Sequence, residues 1–224
     1  MVNSLTMHND SINDMDIKFY KKEFSYFVID NYFTPPELSH IWPDIRRLGR
    51  NLLSPEETSR AIDDTGVVGK NTGRFITDEP IDYHWCSKKL FRVADPKELY
   101  LTKDIHFRYM RNLNFSTVLL NYYEDGDFYK GHWDFSVYTK IVFLYKEPKK
   151  FTGGDLHLED IGDTIECKNN RVVFFPSFAT HSVDTVHMKE EDKGQQLGRF
   201  SITHFYYVPL DGGKMSIINV PEVP

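Results

Sequence analysis

From Ser116 onward the chain is a succession of short runs of β-branched and aromatic residues. The clear runs are Thr117–Tyr123, Tyr138–Tyr145, Arg171–Phe175 and Phe200–Val208. Weaker ones are Asp155–Leu158, Thr164–Cys167 and Thr180–Val186. Gly, Pro, Asn and Asp separate them, and many short strands punctuated by turn residues predict a sandwich or barrel. Helical signals precede this block, so the expected class is α+β, mainly β, with a jelly-roll core and supporting N-terminal helices.

The first half reads differently. Residues 1–22 are expected to be a tail or a loosely attached strand, and Phe24–Asp30 a strand. Thr34-Pro35-Pro36-Glu37 is a helix start, with Thr34 as cap, Pro35 at the first helical position and Glu37 completing a capping box. Leu38, Ile41, Ile45 and Leu48 fall on one helical face, while Pro43 is expected to kink or shorten that helix. Residues 49–73 contain Gly66, Gly69 and Gly73 and read as a long mobile loop, a lid over whatever site the core carries. Arg74–Thr77 is expected to be a strand and Trp85–Ala94 a short helix ended by Asp95-Pro96; residues 100–113 receive no assignment. The divisions are 1–22 tail, 23–115 supporting layer, 116–210 jelly-roll core and 211–224 C-terminal tail, in one domain.

Bulk properties narrow the function classes. With 27 Lys+Arg against 33 Asp+Glu the net charge is −6, which argues against a nucleic-acid backbone binder. Cys86 and Cys167 match no metal or redox spacing and are expected to be buried small hydrophobes. No run approaches the ~20 apolar residues of a membrane span. The polar stretch Met1–Asp16 has no signal-peptide core. The expectation is a soluble, cytoplasmic protein with no membrane partner; nothing indicates its oligomeric state.

Three His-x-acid pairs occur, at His8/Asp10, His132/Asp134 and His157/Glu159, so the pattern alone carries little. Context favours the second. Side chains at i and i+2 of extended backbone share a face, so His132 and Asp134 can reach one ion. A third ligand must come from a distant strand. His181, after the Pro176 turn, is the best candidate, with His187 and His204 competing. Two histidines and one carboxylate on one side of an ion leave coordination positions open, as in non-haem Fe(II) oxygenases. In the last strand Arg199, Ser201 and Thr203 share one face, and an Arg among hydroxyls suits bidentate capture of a carboxylate.

Taken in order, Tyr123-Glu-Asp-Gly126, His132-Trp-Asp134, Gly153-Gly154-Asp-Leu, Phe175-Pro-Ser, His181-Ser-Val-Asp-Thr-Val and Gly198-Arg199-Phe-Ser201 resemble the Fe(II)/2-oxoglutarate-dependent dioxygenases, on their prolyl 4-hydroxylase-like branch. The resemblance covers roughly Ser116–Val208. It implies a double-stranded β-helix, with His132, Asp134 and His181 as iron ligands. It further implies Arg199 on the distal carboxylate of 2-oxoglutarate, with Ser201 and Tyr123 as hydrogen-bond partners; Tyr122 is the alternative to Tyr123. The implied cofactors are Fe(II), 2-oxoglutarate and O2. The implied reaction hydroxylates a substrate C–H bond and releases succinate and CO2. Many prolyl hydroxylases have Lys where Arg199 stands, so the resemblance leaves two substrate classes, a protein or peptide residue such as proline, and a free amino acid or other small molecule. A metal-binding jelly roll without turnover is the reading outside the enzymes.

Overall fold

Strands that are apolar on both sides fit only in the middle of a layered structure, and the computed structural model has them there. It describes residues 2–5, 16–58, 62–63, 66–67, 69–81, 83 and 115–207; the expected helix at 85–94 and the residues at 100–113 lie outside these. The N-terminal part supplies β1 (Val2–Leu5), β2 (Asp16–Lys21), β3 (Ser25–Asp30), helix α1 (Pro35–Leu48) and the one-turn α2 (Pro55–Thr58). The short strands β4 (Ile62–Asp63), β5 (Gly66–Val67), β6 (Gly69–Lys70) and β7 (Thr72–Phe75) follow. The remainder gives β8 (Phe115–Tyr123), β9 (Phe128–His132), β10 (Tyr138–Leu144), β11 (Phe151–Thr152) and β12 (Leu156–Leu158). It continues with β13 (Asp163–Ile165), β14 (Arg171–Pro176), β15 (His181–Val183), β16 (His187–Met188) and β17 (Arg199–Tyr207).

The larger sheet is antiparallel with order β1-β2-β3-β14-β10-β17-β8-β7, and the smaller has order β13-β12-β15-β9-β6. Facing each other, they form the jelly roll. Between them pack Tyr123, Ile141, Phe143, Val173 and Phe175 of the larger sheet with Leu156, Leu158, Ile165 and Val183 of the smaller. The larger sheet's other face is also covered: Leu120, Val142, Phe174, Phe200 and Ile202 pack with Ile41, Ile45 and Leu48 of α1. With both faces covered, β10 and β17 are buried at nearly every position, whereas burial alternates along β12 and β15.

Helix α1 begins as its sequence requires. The Thr34 N–H donates to Glu37 Oε2 at 2.7 Å, and the Glu37 N–H donates back to Thr34 Oγ1 at 3.4 Å. Pro43 does not shorten the helix, which continues to Leu48. Pro43 is on the exposed side, where water can serve the carbonyl that loses its partner. Asn170 joins the helix entrance to the core, its side chain accepting from the Phe33 N–H at 2.8 Å and donating to the Phe33 carbonyl at 2.7 Å. Arg171 grips Asp30 with two hydrogen bonds of 2.6 and 2.9 Å, tying β14 to β3.

The described residues of 49–73 are not all in the irregular loop expected from the glycines of that range. Backbone pairing explains the difference: β4 and β5 form a hairpin, β6 pairs with β9 and β7 with β8. The segment therefore crosses from one sheet to the other and abuts β9, the strand that ends in His132. The expected strand at 74–77 begins two residues earlier, at Thr72.

Lys140 sits on the helix-covered face, fully buried, with its Nζ 5.7 Å from the Tyr32 ring centre and no hydrogen-bond partner among the described residues. Burial pushes its pKa down from 10.5 to about 7. Above the unfolded value both states are neutral and there is no penalty. Between about 10.5 and 7 the unfolded chain takes up a proton that the folded one refuses, so stability falls as pH falls, and below 7 the penalty is complete. Lys140→Met should therefore stabilise the fold at neutral pH by on the order of 1–4 kcal/mol. It should also remove the rise in stability from pH 7 toward 10, as thermal unfolding across that range would show.

Candidate metal centre and anion pocket

Strand pairing brings the two histidines together. His132 ends β9 and His181 opens β15, directly opposite each other in the antiparallel register. Their ring centres are 4.2 Å apart. Each ring is held by its own chain: the Nδ1 of His132 meets the Lys130 carbonyl and that of His181 the Ala179 carbonyl, both at 2.9 Å. With Nδ1–H so engaged, each Nε2 carries the lone pair that a metal needs.

Asp134 completes the group. Its carboxylate oxygens lie 3.8 Å from His132 Nε2 and 3.6 Å from His181 Nε2. The prospective ligand atoms of the three residues all fall within 4.8 Å of one another. Burial first, and then the neighbouring His181, lower the pKa of His132 well below the ordinary value. The neutral imidazole, the form that binds metal, is thereby favoured. The competing histidines among the described residues lie elsewhere. His157 bonds Asp184 at 2.7 Å at the surface, His187 is exposed in β16, and His204 is on the far face of the larger sheet, 2.7 Å from the Tyr83 hydroxyl. His8 lies outside the described residues.

The support around Asp134 was not read from the sequence. The Asp134 N–H donates to the Ser177 carbonyl at 2.9 Å, and Thr139 Oγ1 donates to Asp134 Oδ2 at 2.5 Å. Ser177 Oγ in turn lies 2.9 Å from Thr139 Oγ1 and 2.6 Å from Ser136 Oγ. Thr139, which with Lys140 interrupts the apolar run Tyr138–Leu144, was the available signal.

Arg199 opens β17 opposite Tyr123 of β8. It is only 1% exposed. Its guanidinium carbon lies 4.6 Å from the Tyr123 ring centre and 4.9 Å from that of Phe143. Nε, Nη1 and Nη2 all lack a hydrogen-bond partner among the described residues. A desolvated cation with every donor free is costly unless an anion completes it. Ser201, buried, is two residues on and on the same face. Tyr122 is on the opposite face, its ring 4.6 Å from Phe200 and its hydroxyl accepting from the Gly198 N–H at 3.1 Å. Gly154, at φ +75°, leaves room for the arginine, since a Cβ there would sit 2.9 Å from Arg199 Cδ. Thr139, beside the triad, and Phe143, under the guanidinium, are both on the inner face of β10, so the two sites open into one interior. A metal held by the triad and a carboxylate on Arg199 fit these donor sets.

The sequence profile of the 2OG-Fe(II) oxygenase superfamily matches residues 118–207, from β8 through β17. A PKHD-type hydroxylase of Synechocystis sp., itself uncharacterised, is 28% identical over 58% of this chain and 48% of its own length. The chain thus spans about half the length of that relative. Among solved structures, a prolyl-4-hydroxylase from Pseudomonas putida superimposes with a TM-score of 0.55 at 13% identity, covering 83% of this chain and 93% of that one. A prolyl hydroxylase from Trichoplax adhaerens, in complex with a peptide fragment of the hypoxia inducible factor oxygen degradation domain, gives 0.56 at 14%, covering 82% and 83%. Residues 118–207 thus carry the sequence pattern of the 2OG-Fe(II) oxygenase superfamily, and the jelly roll is the fold these prolyl hydroxylases share. Among the described residues, no helix is long and apolar enough to cross a membrane.

Removing one member of the triad tests the metal centre. Asp134→Ala should weaken Fe(II) or Mn(II) binding at least 10–100-fold, the scale on which even outer-shell partners matter. Titration calorimetry reads the loss, and an unchanged circular dichroism spectrum reports that the fold persists. Undiminished metal binding would put the centre elsewhere.

Proposed function

We propose that this protein is an Fe(II)- and 2-oxoglutarate-dependent dioxygenase that hydroxylates a C–H bond of a protein or peptide residue, proline foremost, releasing succinate and CO2. In this reading His132, Asp134 and His181 hold the iron. Arg199 receives the distal carboxylate of 2-oxoglutarate, with Ser201 and Tyr123 beside it. The observation that carries the reading is the buried guanidinium of Arg199, without a hydrogen-bond partner among the described residues, on the inner face that also bears Thr139 beside the triad. A co-substrate with carboxylates at both ends answers both features, one end at the metal and the other on the fixed cation.

Iron, when bound, supplies the oxidising chemistry by activating O2 at the expense of 2-oxoglutarate. The chain's own residues position and exclude. Lys130 and Ala179 carbonyls fix the two imidazoles, and the Thr139–Ser177–Ser136 hydroxyl chain holds the Asp134 carboxylate. The Tyr123 and Phe143 rings flatten the guanidinium between them and keep water from it. A peptide substrate is supported by the fold shared with prolyl hydroxylases, of which the Trichoplax enzyme was solved with a peptide.

Arg199→Ala should weaken 2-oxoglutarate binding by on the order of 2–5 kcal/mol, the cost of losing a buried charged partner. Metal affinity without co-substrate should barely change, because Arg199 is not a ligand. Lys at this position should restore binding only in part, since an ammonium offers no planar fork. Calorimetric titration of 2-oxoglutarate into the Mn(II)-loaded variants measures all three. Wild-type affinity in Arg199→Ala would move the anion pocket away from β17. Succinate release from Fe(II), 2-oxoglutarate and a proline-containing peptide library tests turnover itself.

A further inference from the structure

Three large aromatic side chains stand out of the surface around the triad: Trp133 at 55% exposure, Phe135 at 90% and Phe178 at 55%. They are neighbours. Trp133 lies between His132 and Asp134, and its ring meets Phe135 edge-on at 4.8 Å. Phe178 follows Ser177, whose carbonyl holds the Asp134 N–H at 2.9 Å, so the two aromatic segments are joined at that bond. Exposed aromatics scattered singly need no account, but a group of them beside a site marks a binding surface.

Charge on the same rim says what would bind. The turn that carries Phe178 continues to Thr180, whose N–H donates to Asp160 Oδ2 at 2.7 Å and whose carbonyl accepts from the Glu159 N–H at 2.8 Å. The Glu159 carboxylate lies directly over Gly131, where a Cβ would be 2.7 Å from Oε2. A side chain at residue 131 would have to push the Glu159 carboxylate aside. Strand alternation sends Gly131 to the face opposite His132, and Trp133 follows directly after the strand's end. Glu159 and the segment that begins at Trp133 therefore meet at the end of β9. Glu159 has no ion-pair partner among the described residues. A carboxylate beside open aromatic faces is a receptor for an ammonium or guanidinium group. The chain's net charge of −6 adds long-range attraction for a basic partner.

We propose that Trp133, Phe135, Phe178 and Glu159 form a docking rim for a polypeptide segment bearing Lys or Arg. The cation rests against Glu159 and the aromatic faces, while a neighbouring residue of the segment enters the site. This specifies the substrate class within the dioxygenase reading above and rests on that reading. The rim is a specificity determinant and takes no part in the oxidation.

The test uses the full chain loaded with Mn(II) and 2-oxoglutarate, so that no turnover occurs. Short acetylated peptides alternating Pro with Lys, Glu or Ser serve as probes, with tryptophan fluorescence as the readout and Trp133→Phe identifying the reporter. The Lys peptide should bind about tenfold more tightly than the Glu peptide at low salt, and the advantage should shrink at high salt. Glu159→Gln should remove most of it, and Trp133→Ala should weaken the Lys peptide several-fold. Metal and 2-oxoglutarate titrations on the same variants report whether the site is intact. Equal binding of the three peptides, no binding of any, or a Lys preference untouched by both substitutions overturns the proposal. So does sedimentation showing that the rim is buried in a dimer of this chain. Loss of 2-oxoglutarate binding in the wild type, with the Lys preference intact, would instead overturn the dioxygenase reading and leave the rim standing.

Discussion

Burial of one sheet on both of its faces is the constraint from which the rest of this molecule follows. Strands β14, β10, β17 and β8 cannot expose either side to water, so a second layer must cover each face. Helix α1 and the residues leading into it cover one, and the smaller sheet covers the other. The smaller sheet needs only one dry face, and its outer surface is free to carry polar and aromatic side chains. The candidate centre is placed where the two sheets meet, because there a short strand of the smaller sheet ends against the inner face of β10.

That location sets the physics of the site. His132 and His181 come from the smaller sheet and Asp134 from the connection that returns to the larger one. The larger sheet contributes the hydroxyl that orients Asp134 and, from its other end, Arg199. Side chains mounted on paired strands lose little freedom when a ligand arrives, so the geometry is fixed beforehand. The same low-dielectric interior that makes an unpartnered guanidinium costly makes its attraction for a carboxylate strong. The apolar rings of Tyr123 and Phe143 on either side of Arg199 act in both directions at once.

Much of this was legible in the residues. The capping box at Thr34 and Glu37, the apolar face of α1 and the four long strands are local signals with one physical outcome each. The i, i+2 relation of His132 and Asp134 and the shared face of Arg199 and Ser201 follow from strand alternation alone. Residues 49–73 misled because glycine frequency reports conformational freedom, whereas β6 and β7 are held by partners far along the chain. The helix runs past Pro43 because the lost backbone bond falls on the side that faces water.

Composition and periodicity determined the layers, the helix start and the short list of histidines, since each depends on a residue and its near neighbours. Tertiary structure decided which distant groups meet. It set His181 opposite His132 by strand register in the smaller sheet and sent His204 to the far face of the larger one. It brought Thr139 and Ser177 to Asp134, and it buried the Arg199 guanidinium against aromatic rings with no hydrogen-bond partner among the described residues. Those outcomes depend on pairing between residues tens of positions apart, and a linear pattern carries no record of register.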